Sequence, residues 1–146
     1  MKNNQARKKL IGWREWIGFP ELGIDRIKAK IDTGARSSAI HAYRVRKLDD
    51  IDEPRVEFYL HPVQRQRSPE LHCVARITDE RSIKSSNGKL ETRFVIITPM
   101  SLGEDIWPVE LTLSDRDQMG FRVLTGRAAI RDRCIVDPGS SYLLGR

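Results

Sequence analysis

Residues 27–42, Ile27-Lys28-Ala29-Lys30-Ile31-Asp32-Thr33-Gly34-Ala35-Arg36-Ser37-Ser38-Ala39-Ile40-His41-Ala42, set a short alternating strand directly against an Asp-Thr-Gly-Ala turn. Ile27, Ala29 and Ile31 recur with a period of two against Arg26, Lys28 and Lys30, the signature of a half-buried strand over 24–31. That strand delivers Asp32 to its end, where a small hydroxyl residue and a glycine permit a tight turn. A carboxylate held there by rigid main chain is suited to act on water. The competing reading is a turn-capping Asp that only accepts hydrogen bonds from nearby amides.

Outward from this turn the chain reads as a succession of short strands. Residues 1–9 are charged and aperiodic and read as a mobile tail, which leaves 10–146 as one folded domain. Strand patterns follow around Trp13 and Trp16, over Ser38–Val45 with ambiguous phase, over Val56–His61, over Leu71–Ile77, over Glu91–Thr98, over Ile106–Leu113 and over Phe121–Leu124. Ser85-Ser86-Asn87-Gly88 carries the Asn-Gly pair of a type I′ hairpin. Pro99–Asp105 reads as a turn, Gly126 opens a short helix, and Cys134–Val136 reads as a last strand ended by Asp137-Pro138-Gly139. The expected architecture is a mostly-β barrel or sandwich with one short helix near the C-terminus. Trp13, Trp16 and Trp107 are expected to anchor the core or an interface.

Composition narrows the function classes. The 146 residues hold 26 Lys and Arg against 20 Asp and Glu, a formal charge of +6, which favours an acidic partner. Lys and Arg are dispersed and lack interleaved aromatics on one strand face, so nucleic acid is not the expected partner. Phe94-Val95-Ile96-Ile97 is the longest apolar run, far below the roughly 18 residues of a membrane span, so no membrane association is expected. The first ten residues lack an unbroken apolar signal core, and a cytoplasmic location is expected. Cys73 and Cys134 stand far apart and read as buried thiols.

The Ile31–Ala35 motif and the later Phe121-Arg122-Val123-Leu124-Thr125-Gly126-Arg127 run together resemble the retroviral-type aspartic proteases, or retropepsins. More closely, residues 30–42, the Lys84–Gly88 hairpin and Val136-Asp137-Pro138 resemble a bacterial group catalogued as ATP-dependent zinc proteases, over roughly residues 10–142. The resemblance implies a retropepsin-like closed barrel, a single lobe with one short C-terminal helix. It implies a catalytic Asp32, with Thr33 bonding across to a partner loop and Gly34 admitting backbone N–H groups to the carboxylates. It implies a flap at Ser86, Asn87 and Gly88. Members of the bacterial group often accompany ATP-grasp glutamate ligases, which implies a functional link to one.

In retropepsins the arginine matching Arg127 pairs with an Asp four residues beyond the catalytic one, and here that position is Arg36. Arg127 is therefore expected to meet Asp115, Asp117, Asp132 or an acidic substrate, while Ala35 and Arg36 line the substrate cleft. One chain supplies one Asp-Thr-Gly, and the chemistry wants two carboxylates, so a homodimer with a two-fold axis between two copies of Asp32 is expected. The leading function is an aspartic-type peptidase or amide hydrolase on an acidic polypeptide. The alternatives are a peptide-binding module of the same fold without hydrolysis and, third, a zinc hydrolase. Neither zinc nor ATP is expected as a cofactor: there is no His-Glu-x-x-His and no phosphate-binding Gly-Lys-Ser/Thr loop, and a zinc site from His61, His72 and Cys73 is the remote option.

Overall fold

The computed structural model describes residues 7–49, 52–63, 66, 68–84, 88–115 and 120–145. In chain order they form β1 (Lys9–Phe19), β2 (Ile24–Asp32), β3 (Ser38–His41), β4 (Tyr43–Leu48), β5 (Arg55–Leu60), β6 (Leu71–Arg76), β7 (Asp79–Lys84), β8 (Leu90–Leu102), β9 (Asp105–Ser114), β10 (Val123–Gly126), the single-turn helix α1 (Arg127–Ile130) and β11 (Cys134–Ser141). The large sheet runs β11-β1-β2-β10-β3-β9-β8-β7. A further pairing of β1 with β8, at Gly18 opposite Ser101, closes it into a six-stranded barrel. The barrel is mostly β with one short helix, as the resemblance implied.

Alternation puts the core where it is. Along β2, Ile24, Ile27, Ala29 and Ile31 are buried while Asp25 and Arg26 face solvent. β4, β5 and β6 form a separate antiparallel sheet that lays Val56, Phe58, Leu60 and Cys73 onto the same core. Trp107 is buried and donates its indole N–H to the Ala129 carbonyl at 2.8 Å, tying α1 to β9. Trp13 and Trp16 are only half-buried, Trp13 edge-on to Phe121 and Trp16 stacked on Tyr142.

Sequence and structure part at four places. β1 starts at Lys9, inside the stretch read as tail, because the Lys9 amide bonds the Arg133 carbonyl at 2.9 Å. The strand expected over 38–45 is two strands in different sheets, broken at Ala42, whose amide bonds the Ser114 carbonyl at 2.7 Å; just beyond, within β4, Arg44 takes a positive φ of 50° and the β4–β5 register slips. β8 runs through Pro99, which stands opposite Pro108, and opposed prolines fit an antiparallel ladder where the N–H positions point away from the partner. β11 likewise continues past Asp137-Pro138-Gly139. The register jumps between Gly12↔Asp137 and Arg14↔Ser141, so the expected terminator is a bulge on an edge strand.

Among the described residues Glu15 is the one buried acidic side chain, fully enclosed on β1 in phase with Ile11 and Ile17. Its carboxylate accepts the amides of Gly12 (2.7 Å), Leu143 (2.9 Å) and Leu144 (3.3 Å), so it fastens the C-terminal turn to β1. Glu15→Ala strands the buried Gly12 amide and frees the two part-buried amides of the C-terminal turn, and should lower unfolding stability by about 2 kcal/mol. An unchanged urea midpoint would refute this role.

Candidate active site

Asp32 ends β2 and is half-buried. Its Oδ1 accepts the Gly34 amide at 3.0 Å and its carbonyl accepts the Ala35 amide at 3.2 Å, which curls the Asp-Thr-Gly segment into a closed turn. Thr33 and Gly34 are exposed beyond it. The local hydrogen bonds of the capping alternative are thus present, and the second carboxylate oxygen points to no partner among the described residues.

What holds this turn comes from far along the chain. β10 inserts between β2 and β3, parallel to the first and antiparallel to the second, with Gly126 in register with Asp32. The Gly126 amide donates to the Ser38 hydroxyl at 3.0 Å, the Arg127 amide to the Ala35 carbonyl at 2.8 Å and the Ala128 amide to the Arg36 carbonyl at 3.0 Å. Arg127 then folds its guanidinium over the turn and donates from Nη1 to the carbonyls of Thr33 (3.3 Å) and Gly34 (3.2 Å). Among the described residues Arg127 grips the main chain of the Asp32 turn. Asp115 and Asp132 are not among its partners, and Asp117 lies outside the described residues. Sequence reading missed this because a backbone carbonyl leaves no mark in the residue types.

Ala35 is half-buried and Arg36 exposed on the far side of the same turn. β7 and β8 make the long hairpin expected of the flap arm, paired from Asp79↔Val95 to Lys84↔Leu90. Gly88 has a left-handed φ of 84°, which a glycine adopts without strain, while Ser86 and Asn87 lie outside the described residues. Asp137, the other Asp before a turn glycine, is committed to its own bulge: Ser140 and Gly139 donate to it, and those bonds hold its carboxyl below the usual range.

The donors of a zinc site do not converge. His72 and Cys73 are neighbours on β6, so strand alternation sends them to opposite faces. Cys73 is buried with its Sγ toward the Leu22 carbonyl, and burial pushes its thiol up to about 11. Cys134 is half-buried and likewise pushed up to about 11. His72 faces outward, 2.8 Å from Glu57, whose carboxyl is held low first by His72 and then by Arg46. His61 stacks on Tyr43 with ring centres 4.6 Å apart. Zinc as the family's catalogued name implies it therefore does not fit these residues.

The same outward face gathers aromatics that linear reading had dispersed. Tyr43, Tyr59 and His72 stand in register across β4, β5 and β6. Glu70 accepts the Tyr43 phenol, which burial first and Glu70 second push up to about 12. With Glu57 and Glu70 set among them, the rings do not form a uniformly basic stacking surface.

Comparison with known proteins agrees with this geometry. The family model described as "Retropepsin-like aspartic endopeptidase RimB" matches residues 10–146. Proteins named "Probable alpha-L-glutamate ligase" are 48% identical over 139 residues in Shewanella halifaxensis and 40% identical over 140 residues in Parasynechococcus marenigrum. The chain spans 30% of the length of each, while 95% and 96% of its own residues are covered. A crystal structure of a Legionella pneumophila protein of unknown function shares the fold, with a TM-score of 0.77, 21% identity and coverage of 93% of this chain and 98% of that one. Strand, Asp-Thr-Gly turn, inserted β10 and Gly-Arg clamp thus converge on one conclusion: the chain belongs to the RimB-like family of retropepsin-like aspartic endopeptidases.

Proposed function

We propose that this protein is an aspartic-type amide hydrolase that cuts an acidic, glutamyl-containing polypeptide, with Asp32 and the partner subunit's Asp32 as the reacting pair of a homodimer. The observation that carries it is the turn itself: Asp32 is presented by a loop fixed on one side by β10 and on the other by Arg127, so its outer oxygen has a defined position. In the dimer one Asp32 is ionised and takes a proton from a bridging water. Its partner is protonated and donates to the scissile carbonyl oxygen, and water attacks without a covalent intermediate. Thr33, exposed at the tip, is free to bond to the facing loop.

Two further features support this reading. Relatives named for glutamate ligation carry a region like this chain within a longer protein, which brings glutamyl amides close to the domain. Leu10 and Ile135 are cross-strand neighbours, 52% and 54% exposed, and give the β1–β11 edge apolar surface of the kind a subunit contact covers.

The test is digestion of oligo-α-glutamate peptides followed by mass spectrometry, with and without a metal chelator, alongside sedimentation of the protein. Cleavage by a dimer, unchanged by chelation, is expected. A strictly monomeric protein, abolition by chelator, or binding without any cleavage would each overturn the proposal, the last in favour of a peptide-binding module.

A further inference from the structure

A second feature lies beside the Asp32 turn, on the side where α1 packs against β9. There a cavity of about 420 Å³ is lined by Arg36 from the turn, Arg81 from the hairpin arm β7, Glu110 from β9, and Arg131 and Arg133 from the segment after α1. Trp107, Pro108 and Val109 lie along its wall. Its size falls in the range of ligand sites, and convergent cations over an apolar floor suit a ligand with a methylene stem and an anionic head.

Three of the four arginines are not spent on the protein's own acids, and Glu110, the carboxylate of the lining, is taken up by the fourth. Arg81 is paired, to Asp79 at 3.0 Å and Glu110 at 3.3 Å. Among the described residues no carboxylate lies within ion-pair distance of Arg36, Arg131 or Arg133. The Arg133 guanidinium instead stacks over Trp107, 4.6 Å from the ring centre, which holds it in place without neutralising it. Three arginines without an acidic partner, from segments about ninety residues apart, line one cavity and are arranged for an anion.

We propose that this cavity is an anchoring site for the carboxylates of the acidic polypeptide, seating glutamyl side chains that extend past the Asp32 cleft, with Arg36, Arg131 and Arg133 as the carboxylate-binding residues. The site rests on the hydrolase reading for the nature of its ligand. Arg36 links the two, since it stands four residues after Asp32 and lines the cavity. A polypeptide held there is positioned by charge, and one lacking acidic side chains is not.

The experiment measures binding of a fluorescein-labelled hexa-α-glutamate by anisotropy, using the full chain carrying Asp32→Asn so that no cleavage intervenes. Arg131→Glu with Arg133→Glu should weaken binding at least tenfold, and Arg131→Gln with Arg133→Gln about threefold, with both losses shrinking as salt rises. All four substitutions are at exposed positions, and a circular dichroism melt verifies the fold. Affinity within twofold of the parent in both double variants, or no binding by the parent, overturns the site. So does tighter, arginine-dependent binding of a single-stranded oligonucleotide of equal charge. The hydrolase reading fails by a different result, persistence of cleavage in Asp32→Asn, so the two outcomes cannot be confused.

Discussion

Asp32→Asn should abolish amide hydrolysis, lowering kcat by about 10³-fold or more, while the protein folds and associates as before. The amide is isosteric with the carboxylate, and its oxygen can still accept the Gly34 N–H now bonded at 3.0 Å, so the turn keeps its shape. Loss of the charge-assisted part of that partly exposed bond costs about 1 kcal/mol or less. What disappears is the ionised group able to take a proton from water. Mixing separates a shared pair from a solitary base. When equal amounts of wild type and Asp32→Asn re-equilibrate, only about one quarter of the dimers retain both carboxylates, and activity should fall to about half that of the same wild-type protein left unmixed. Activity that stays proportional to wild-type protein would mean that each Asp32 works alone, and full turnover by Asp32→Asn would dismiss the mechanism.

The parts legible in the sequence are those encoded by neighbours. Ile27, Ala29 and Ile31 announce β2 because alternation is a local signal, and Thr33-Gly34 announce the turn because few residues tolerate it. The order of the barrel was not legible, since β10 reaches β2 and β3 from about ninety residues away, and only the resemblance connected Gly126-Arg127 with Asp32. Residue type was silent at Arg127, where a cation pointed to an acid or an acidic substrate and the described residues supply two carbonyls. Pro99 and Pro138 misled, as turn signals absorbed by a paired ladder position and an edge bulge. One clue was available and unused: Glu15 falls in the apolar phase of Ile11 and Ile17, and an acid in that phase must find donors inside.

Gly126→Ala should be strongly damaging for so small a change, and the reason is distance alone. Gly126 sits at φ −83° and ψ 170°, a conformation any residue adopts, so alanine meets no torsional penalty. Its Cβ, however, would lie 2.4 Å from the Ser37 carbonyl oxygen, 2.6 Å from the Ser37 carbonyl carbon and 2.7 Å from the Arg36 oxygen. All three are main-chain atoms with no rotamer in which to escape. β10 would have to back away from the turn, stretching the 2.8 Å and 3.0 Å amide bonds that Arg127 and Ala128 make to Ala35 and Arg36, and withdrawing the Arg127 guanidinium from Thr33 and Gly34. We expect a loss of about 3 kcal/mol or more in stability. In protein that still folds, a displacement of Asp32 of the order of 1 Å should lower hydrolysis about 10²-fold. Gly139→Ala is the matched control, because its Cβ would meet nothing closer than Asp137 Oδ1 at 3.5 Å, and its urea midpoint should hardly move. Equal midpoints for the two variants would show that the inserted strand does not brace the Asp32 turn, and with that the positional basis for the proposed role of Asp32 as a base would be lost.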